Sequence, residues 1–157
     1  MTREEIFMQE AILLSERGAK NNEGGPFGCV VVKNDQIIAR GNNKVTSTND
    51  PTAHAEIIAI REACKRLETF QLDGCEIYTS CEPCPMCLGA IYWARLDIIY
   101  YANTRKDAFD IGFDDSFIYD EMNADLKTRK IPIINICREA AKKVFSRWPE
   151  KKDKKKY

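Results

Sequence analysis

Four residues in two short segments have the types and spacing of a metal site. His54 and Glu56 stand in a His-Ala-Glu segment, and Cys84 and Cys87 stand in a Pro-Cys-Pro-Met-Cys segment. One imidazole and two thiolates form a ligand set of catalytic zinc, which keeps its fourth position open for water. Cys84 and Cys87 are three residues apart, so on a helix both reach the same side. The pattern predicts a zinc ion held by His54, Cys84 and Cys87.

Glu56 is predicted to carry a proton rather than to bind the metal. It lies two residues beyond His54, so a helix directs the two side chains to different sides. Two thiolates neutralise the charge of zinc and leave a bound water less acidic than three histidines would, so a carboxylate base is needed nearby. We expect His54 and Cys84 in the first turns of two helices, whose positive ends favour thiolates.

Two other metal sites are consistent with the same residues. Cys81 repeats the Cys84 to Cys87 spacing, so it could be the fourth ligand of a closed, structural zinc site. An iron–sulfur cluster on Cys81, Cys84 and Cys87 would also need a fourth ligand, and it gives His54 and Glu56 no role.

Strands and helices alternate along the chain, which predicts helices on both faces of one sheet. The apolar spacing predicts helices over 4–17, about 53–67, 83–95 and 138–148, and strands over 27–33, 36–41, 76–79, 97–101 and 131–136. The first two strands would be antiparallel and later ones parallel. The expected fold is α/β, a three-layer α/β/α sandwich around a mixed five-stranded sheet, with residues 1–157 as a single domain.

Composition excludes several classes of protein. The 157 residues carry 24 basic and 24 acidic side chains, and five of the basic ones are lysines within 151–157. The rest of the chain therefore lacks the excess of positive charge that binding to nucleic acid requires. No apolar run is long enough to span a membrane. Seven cysteines, an odd number, do not indicate a secreted disulfide framework. With no secretory signal at the N-terminus, we expect a cytoplasmic protein.

The two metal segments resemble the cytidine deaminase superfamily, whose zinc enzymes share the patterns H-x-E and P-C-x-x-C. Within it, the chain is most similar to the guanine deaminases. That similarity covers nearly the whole chain and rests on residues 24–28, 41–43, 88–95, 112–119 and the lysine-rich end.

The resemblance implies a cytidine deaminase-like fold and a hydrolytic enzyme of purine breakdown or salvage that converts guanine to xanthine and ammonia. It implies one Zn²⁺ per subunit on His54, Cys84 and Cys87, with Glu56 as the proton shuttle. Related substrates remain open: guanosine, cytosine, a triazine amine or a tRNA adenosine. A structural zinc module is the alternative outside the enzymes.

The resemblance also implies a purine pocket made by three residues. Phe27 would cover the ring, Asn43 would hydrogen-bond to the base through its amide oxygen, and Asp115 would lie near the exocyclic amine and assist catalysis. Each residue has a structural alternative, because Phe27 could belong to the core, Asn43 to a turn, and Asp115 to a helix cap.

The C-terminal segment, about 137–157, would be exchanged between two subunits of a homodimer, again by resemblance. Its last residue, Tyr157, would then help to close the partner's active site. A frayed chain end is the alternative for Tyr157.

Overall fold

A mixed sheet of four strands, in the order β2-β1-β3-β4, lies at the centre of the larger part of the chain. The computed structural model describes residues 1–157, which fall into two compact units, Met1–Asp115 and Ser116–Tyr157. The strands all belong to the first unit: β1 Gly28–Lys33, β2 Gln36–Asn42, β3 Cys75–Cys81 and β4 Ile98–Asn103. β1 pairs antiparallel with β2 and β3, and β3 pairs parallel with β4, as a mixed sheet requires.

Helices cover both faces of this sheet. The first unit contains α1 Arg3–Lys20, α2 Val45–Thr48, α3 Ala55–Arg66, α4 Pro85–Trp93 and α5 Arg105–Asp110. Side chains alternate along a strand, so Val30 and Val32 pack with Phe7 of α1 while Val31 and Ile77 pack with α3 and α4 on the opposite face. The three-layer α/β/α arrangement is confirmed.

The turn between β1 and β2 follows the sequence signal for a hairpin. Asn34 and Asp35 both have positive φ, 49° and 59°, a conformation that Asn and Asp tolerate better than most residues. The two strands they join are the predicted ones to within a residue or so.

The predicted fifth strand over 131–136 is wrong. All six residues are exposed and none belongs to the sheet. Pro132 lies inside the run and has no N–H to give to a strand ladder, which is why an apolar run alone was misleading here.

Two helices begin later than the sequence predicts, and one ends later. α3 begins at Ala55 with His54 as its N-cap, and Asp50 accepts from the Thr52 N–H at 2.8 Å in the turn before it. α4 begins at Pro85 rather than near 83. α1 continues to Lys20, and Gly18 lies within its last turn, where a Cβ would be 2.5 Å from Nδ2 of Asn42.

We predict that Gly41→Ala destabilises the protein, because β2 approaches α3 too closely there for a side chain. A Cβ on Gly41 would lie 2.3 Å from the carbonyl oxygen of Ala55. Forcing the helix away should cost about 1–3 kcal/mol of unfolding free energy, measured by urea denaturation. Gly89→Ala is the control, since a Cβ there meets no atom within 4 Å and should leave stability equal or slightly higher. Equal stabilities for the two variants would contradict the close packing.

The second unit contains α6 Ser116–Asn123 and α7 Arg138–Arg147, and neither helix has a buried residue. Large apolar side chains are exposed along this unit, among them Ile131, Ile134, Ile136 and Phe145, each at least 75% exposed. None of the helices in the chain is both long enough and apolar enough to cross a membrane.

Candidate functional site

The structure brings the three predicted metal ligands together. Nδ1 of His54 lies 3.5 Å from Sγ of Cys84 and 3.5 Å from Sγ of Cys87. The ligand atoms all lie within 4.8 Å of one another. A tetrahedral zinc ion with ordinary Zn–N and Zn–S bonds would separate its nitrogen and sulfur ligands by about 3.6 Å. The donor set and its spacing therefore fit zinc.

His54 and Cys84 occupy equivalent places in the fold, but not the first-turn positions predicted for them. Each is the residue that caps a helix, in an extended conformation with ψ of 156° and 168°, before α3 and α4 respectively. For Cys84 the cause is Pro85, since a residue that precedes proline is excluded from the helical region. Cys87 lies within the first turn of α4, so both helices direct their positive ends at the ligand group.

Glu56 lies beside the ligands without belonging to the group. Its side chain is buried, and its Oε2 accepts from the Cys87 thiol at 3.4 Å. Its other oxygen, Oε1, accepts from the hydroxyl of Thr79 at 3.2 Å. The metal-ligand group consists of His54, Cys84 and Cys87 alone.

Cys81 points elsewhere, although the sequence left it open as a fourth ligand. Its thiol donates to the carbonyl oxygen of Thr104 at 3.7 Å, and burial raises its pKa to about 11. Cys81 is therefore outside the group of ligand atoms formed by His54, Cys84 and Cys87. The three-ligand group leaves the metal one position for water, as a catalytic site requires.

The electrostatics favour a thiolate at Cys84, whereas the hydrogen bond with Cys84 and burial raise the pKa of Cys87. A hydrogen bond from Cys87 lowers the pKa of Cys84 to about 4, and the imidazole of His54 adds to the effect. The hydrogen bond with Cys84 raises the pKa of His54 in turn. Burial raises the pKa of Glu56, and a carboxyl shifted toward neutrality is suited to take and return a proton.

Phe27 and Asn43 are held next to this group by the backbone. The Asn43 N–H donates to the carbonyl oxygen of Phe27 at 3.0 Å, and the next residue, Lys44, donates to Ala53, which precedes His54. Phe27 is half-buried and packs against the core on the α3 face, so it has a core role even if it also covers a ligand.

The side-chain oxygen of Asn43 accepts hydrogen bonds from two backbone N–H groups. Its Oδ1 already accepts from the N–H groups of Gly25 at 3.3 Å and Val45 at 3.1 Å. Both neighbours are donors, so the oxygen must face them. With its oxygen oriented by these two donors, the amide N–H of Asn43 is the side-chain group left for a further hydrogen bond.

Asp115 is connected to the site through two observations. Phe113, two residues before it, packs edge-on against Phe27 with ring centroids 4.9 Å apart. Burial raises the pKa of Asp115, and the negative charge of Cys84 raises it further, which indicates an electrostatic interaction between the two side chains. Tyr157 belongs to the second unit and is 71% exposed.

Two contributors to the site were missed in the sequence. Alternation along a strand could have indicated Thr79, because it places Ile77, Thr79 and Cys81 on the α3 face of β3. Thr79 is the hydroxyl-bearing residue of the three and lies close in sequence to the Cys84 and Cys87 segment. Phe113 lies in the 112–119 segment that carries the resemblance, but its contact with Phe27 joins residues 86 positions apart, so the sequence did not predict that contact.

Comparison with known protein families gives a match over most of the first unit. Residues 1–103 match the family described as the cytidine and deoxycytidylate deaminase zinc-binding region. The match includes His54, Glu56, Cys84 and Cys87, and it stops before Asp115.

Known relatives extend the match to the whole chain. The chain is 51% identical to a guanine deaminase of Bacillus subtilis over 98% of each protein, and the crystal structure of that enzyme superimposes with a TM-score of 0.95. A protein solved in complex with 2,6-diaminopurine matches 73% of this chain and 63% of its own at 35% identity, with a TM-score of 0.68. A tRNA-specific adenosine deaminase of Aquifex aeolicus is 40% identical over 65% of this chain and 67% of its own.

Proposed function

The chain belongs to the cytidine and deoxycytidylate deaminase zinc-binding family, and from that membership we propose that it hydrolyses guanine to xanthine and ammonia. The observation that carries the reaction type is a group of three metal ligands with the buried Glu56 carboxylate 3.4 Å from one of them. The observation that carries the substrate is the full-length similarity to a guanine deaminase.

His54, Cys84 and Cys87 would hold one zinc ion per chain. Bound there, zinc would supply a Lewis acid that makes water nucleophilic near neutral pH. Glu56 would take a proton from the attacking water at Oε2 and deliver it to the ring nitrogen beside C2 of guanine. The short distance from Oε2 to the ligand group is what suits it to this role.

The remaining residues would recognise the base. Asp115 would accept a hydrogen bond from the 2-amino group, and it would help to protonate or hold that group as it departs as ammonia. Asn43 would donate its amide N–H to an acceptor such as O6 or N7. Phe27, braced by the edge of Phe113, would cover one face of the purine. The donor orientation of Asn43 suits the acceptor atoms of guanine, and the acidic Asp115 suits the donor edge.

We also propose that the active form is a homodimer, in which each subunit is a single domain of residues 1–157. The two subunits would exchange the segment of about 137–157, and Tyr157 would close the partner's active site. The exposed apolar side chains of Ile131, Ile134 and Phe145 support an assembly that covers them. Sedimentation equilibrium should give twice the chain mass, and a monomer at micromolar concentration would contradict the exchange. The cytoplasmic location stays a prediction.

The alternative substrates are less favoured. The tRNA-specific adenosine deaminase matches about two thirds of this chain, whereas the guanine deaminase matches 98%. Ammonia release should be assayed side by side from guanine, guanosine, cytosine, adenine and an adenosine-bearing tRNA loop. Guanine alone should be a good substrate, and turnover of the RNA loop in its place would overturn the assignment.

A further inference from the structure

The buried hydroxyl of Thr79 makes its hydrogen bond to the side chain of Glu56. Thr79 lies near the end of β3 and is 1% exposed. Its hydroxyl donates to Oε1 of Glu56 at 3.2 Å, the hydrogen bond that the structure records for this side chain. A buried hydroxyl costs free energy unless it is hydrogen-bonded, and the partner of the Thr79 hydroxyl is Glu56.

The two carboxylate oxygens of Glu56 are in different surroundings. Oε1 faces Thr79 on the sheet, and Oε2 faces the Cys87 sulfur on the metal side. The two contacts come from separate elements, β3 and α4, while Glu56 itself is on α3. A Cys87 thiolate bound to zinc has no proton to donate, so Thr79 is the neighbour whose hydrogen bond orients the carboxylate, and Oε2 is left facing the ligand group.

From this geometry we infer that Thr79 is a positioning residue, whose hydroxyl holds Oε1 of Glu56 so that Oε2 stays directed toward the metal-ligand group. The inference rests on the proposed function. A hydroxyl can donate to Oε1 whether or not Oε2 carries a proton, so the same carboxylate position serves both halves of the transfer. Without it, the carboxylate could turn about its last bond and present either oxygen, or neither, to the water.

Two substitutions separate positioning from packing. Thr79→Val keeps the shape and removes the donor, and it should lower kcat by about 10-fold to 100-fold, the range for losing a hydrogen bond to a charged group. The KM for guanine and the zinc content should stay close to wild type. Thr79→Ser keeps the donor and should retain kcat within about threefold.

Tyr78→Phe is the matched control on the same strand. It also removes a hydroxyl, which donates to Glu76 at 2.7 Å on the α1 face, away from the ligand group. Its kcat should equal that of wild type. A loss of kcat as large as that of Thr79→Val would show that any disturbance of β3 slows the reaction, and would overturn the inference.

Other outcomes are equally decisive. Wild-type kcat in Thr79→Val, equal losses in Thr79→Val and Thr79→Ser, or loss of zinc in Thr79→Val would each overturn the positioning role. If wild type releases no ammonia from guanine, the proposed function fails on its own. Crystal structures of zinc-loaded wild type and Thr79→Val then decide the inference, because an unchanged Glu56 carboxylate in the variant would overturn it.

Discussion

Glu56→Gln is expected to lose at least about 1,000-fold in kcat while keeping its zinc. A general acid–base group contributes about 10²- to 10⁴-fold to a rate, and Glu56 is the buried carboxylate in contact with the ligand group. Glutamine has nearly the same shape and can still accept from Thr79, but it can neither take nor deliver the proton. Glu56→Ala should behave in the same way, with zinc retained.

The measurement pairs steady-state turnover of guanine with zinc content by atomic absorption for each purified variant. Glu62→Gln, an exposed position on the same helix, is the control and should match wild type in both. Zinc lost together with activity in Glu56→Gln and Glu56→Ala would show that Glu56 is a ligand. Zinc and turnover both retained would remove Glu56 from the chemistry.

Cys87→Ser is expected to lose both the metal and the activity. Cys87 is a fully buried member of the three-ligand group, and a serine hydroxyl is a poor zinc ligand beside a thiolate. Losing one of three protein ligands should weaken zinc binding by more than about 100-fold, the upper range for disturbing only the surroundings of a ligand. Competition with a chromophoric chelator measures the affinity directly.

Cys81→Ser provides the matched control for that experiment. Cys81 belongs to the same motif and is also buried, but its thiol donates to the Thr104 carbonyl, a hydrogen bond that serine can replace. Its zinc affinity should equal that of wild type. If Cys81→Ser loses zinc as severely as Cys87→Ser, the site has four protein ligands, and a structural zinc module becomes the better account of the chain.

The parts of the fold that follow local rules could be predicted from the sequence. Asn34 and Asp35 tolerate the left-handed backbone that a tight hairpin needs, and apolar alternation located the paired strands around them. Residues 131–136 show the limit, because an apolar run specifies a strand only when a neighbouring strand pairs with it. The sheet of this chain ends at β4.

The metal ligands could likewise be predicted from residue type and spacing, because few ligand sets are stable for zinc. The surroundings of those ligands could not. The hydrogen bond from Thr79 to Glu56 joins two elements 23 residues apart, and the orientation of Asn43 depends on two backbone N–H groups that converge on its oxygen. Such contacts are set by packing of the sheet against α3 and the loops, which no local pattern encodes.

The most direct test of the account is the product analysis of guanine incubated with the zinc-loaded protein. Xanthine and ammonia should appear in a one-to-one ratio, with no product after zinc is removed by a chelator and with activity restored when zinc is returned. A zinc-loaded, folded protein that leaves guanine unchanged would contradict the account.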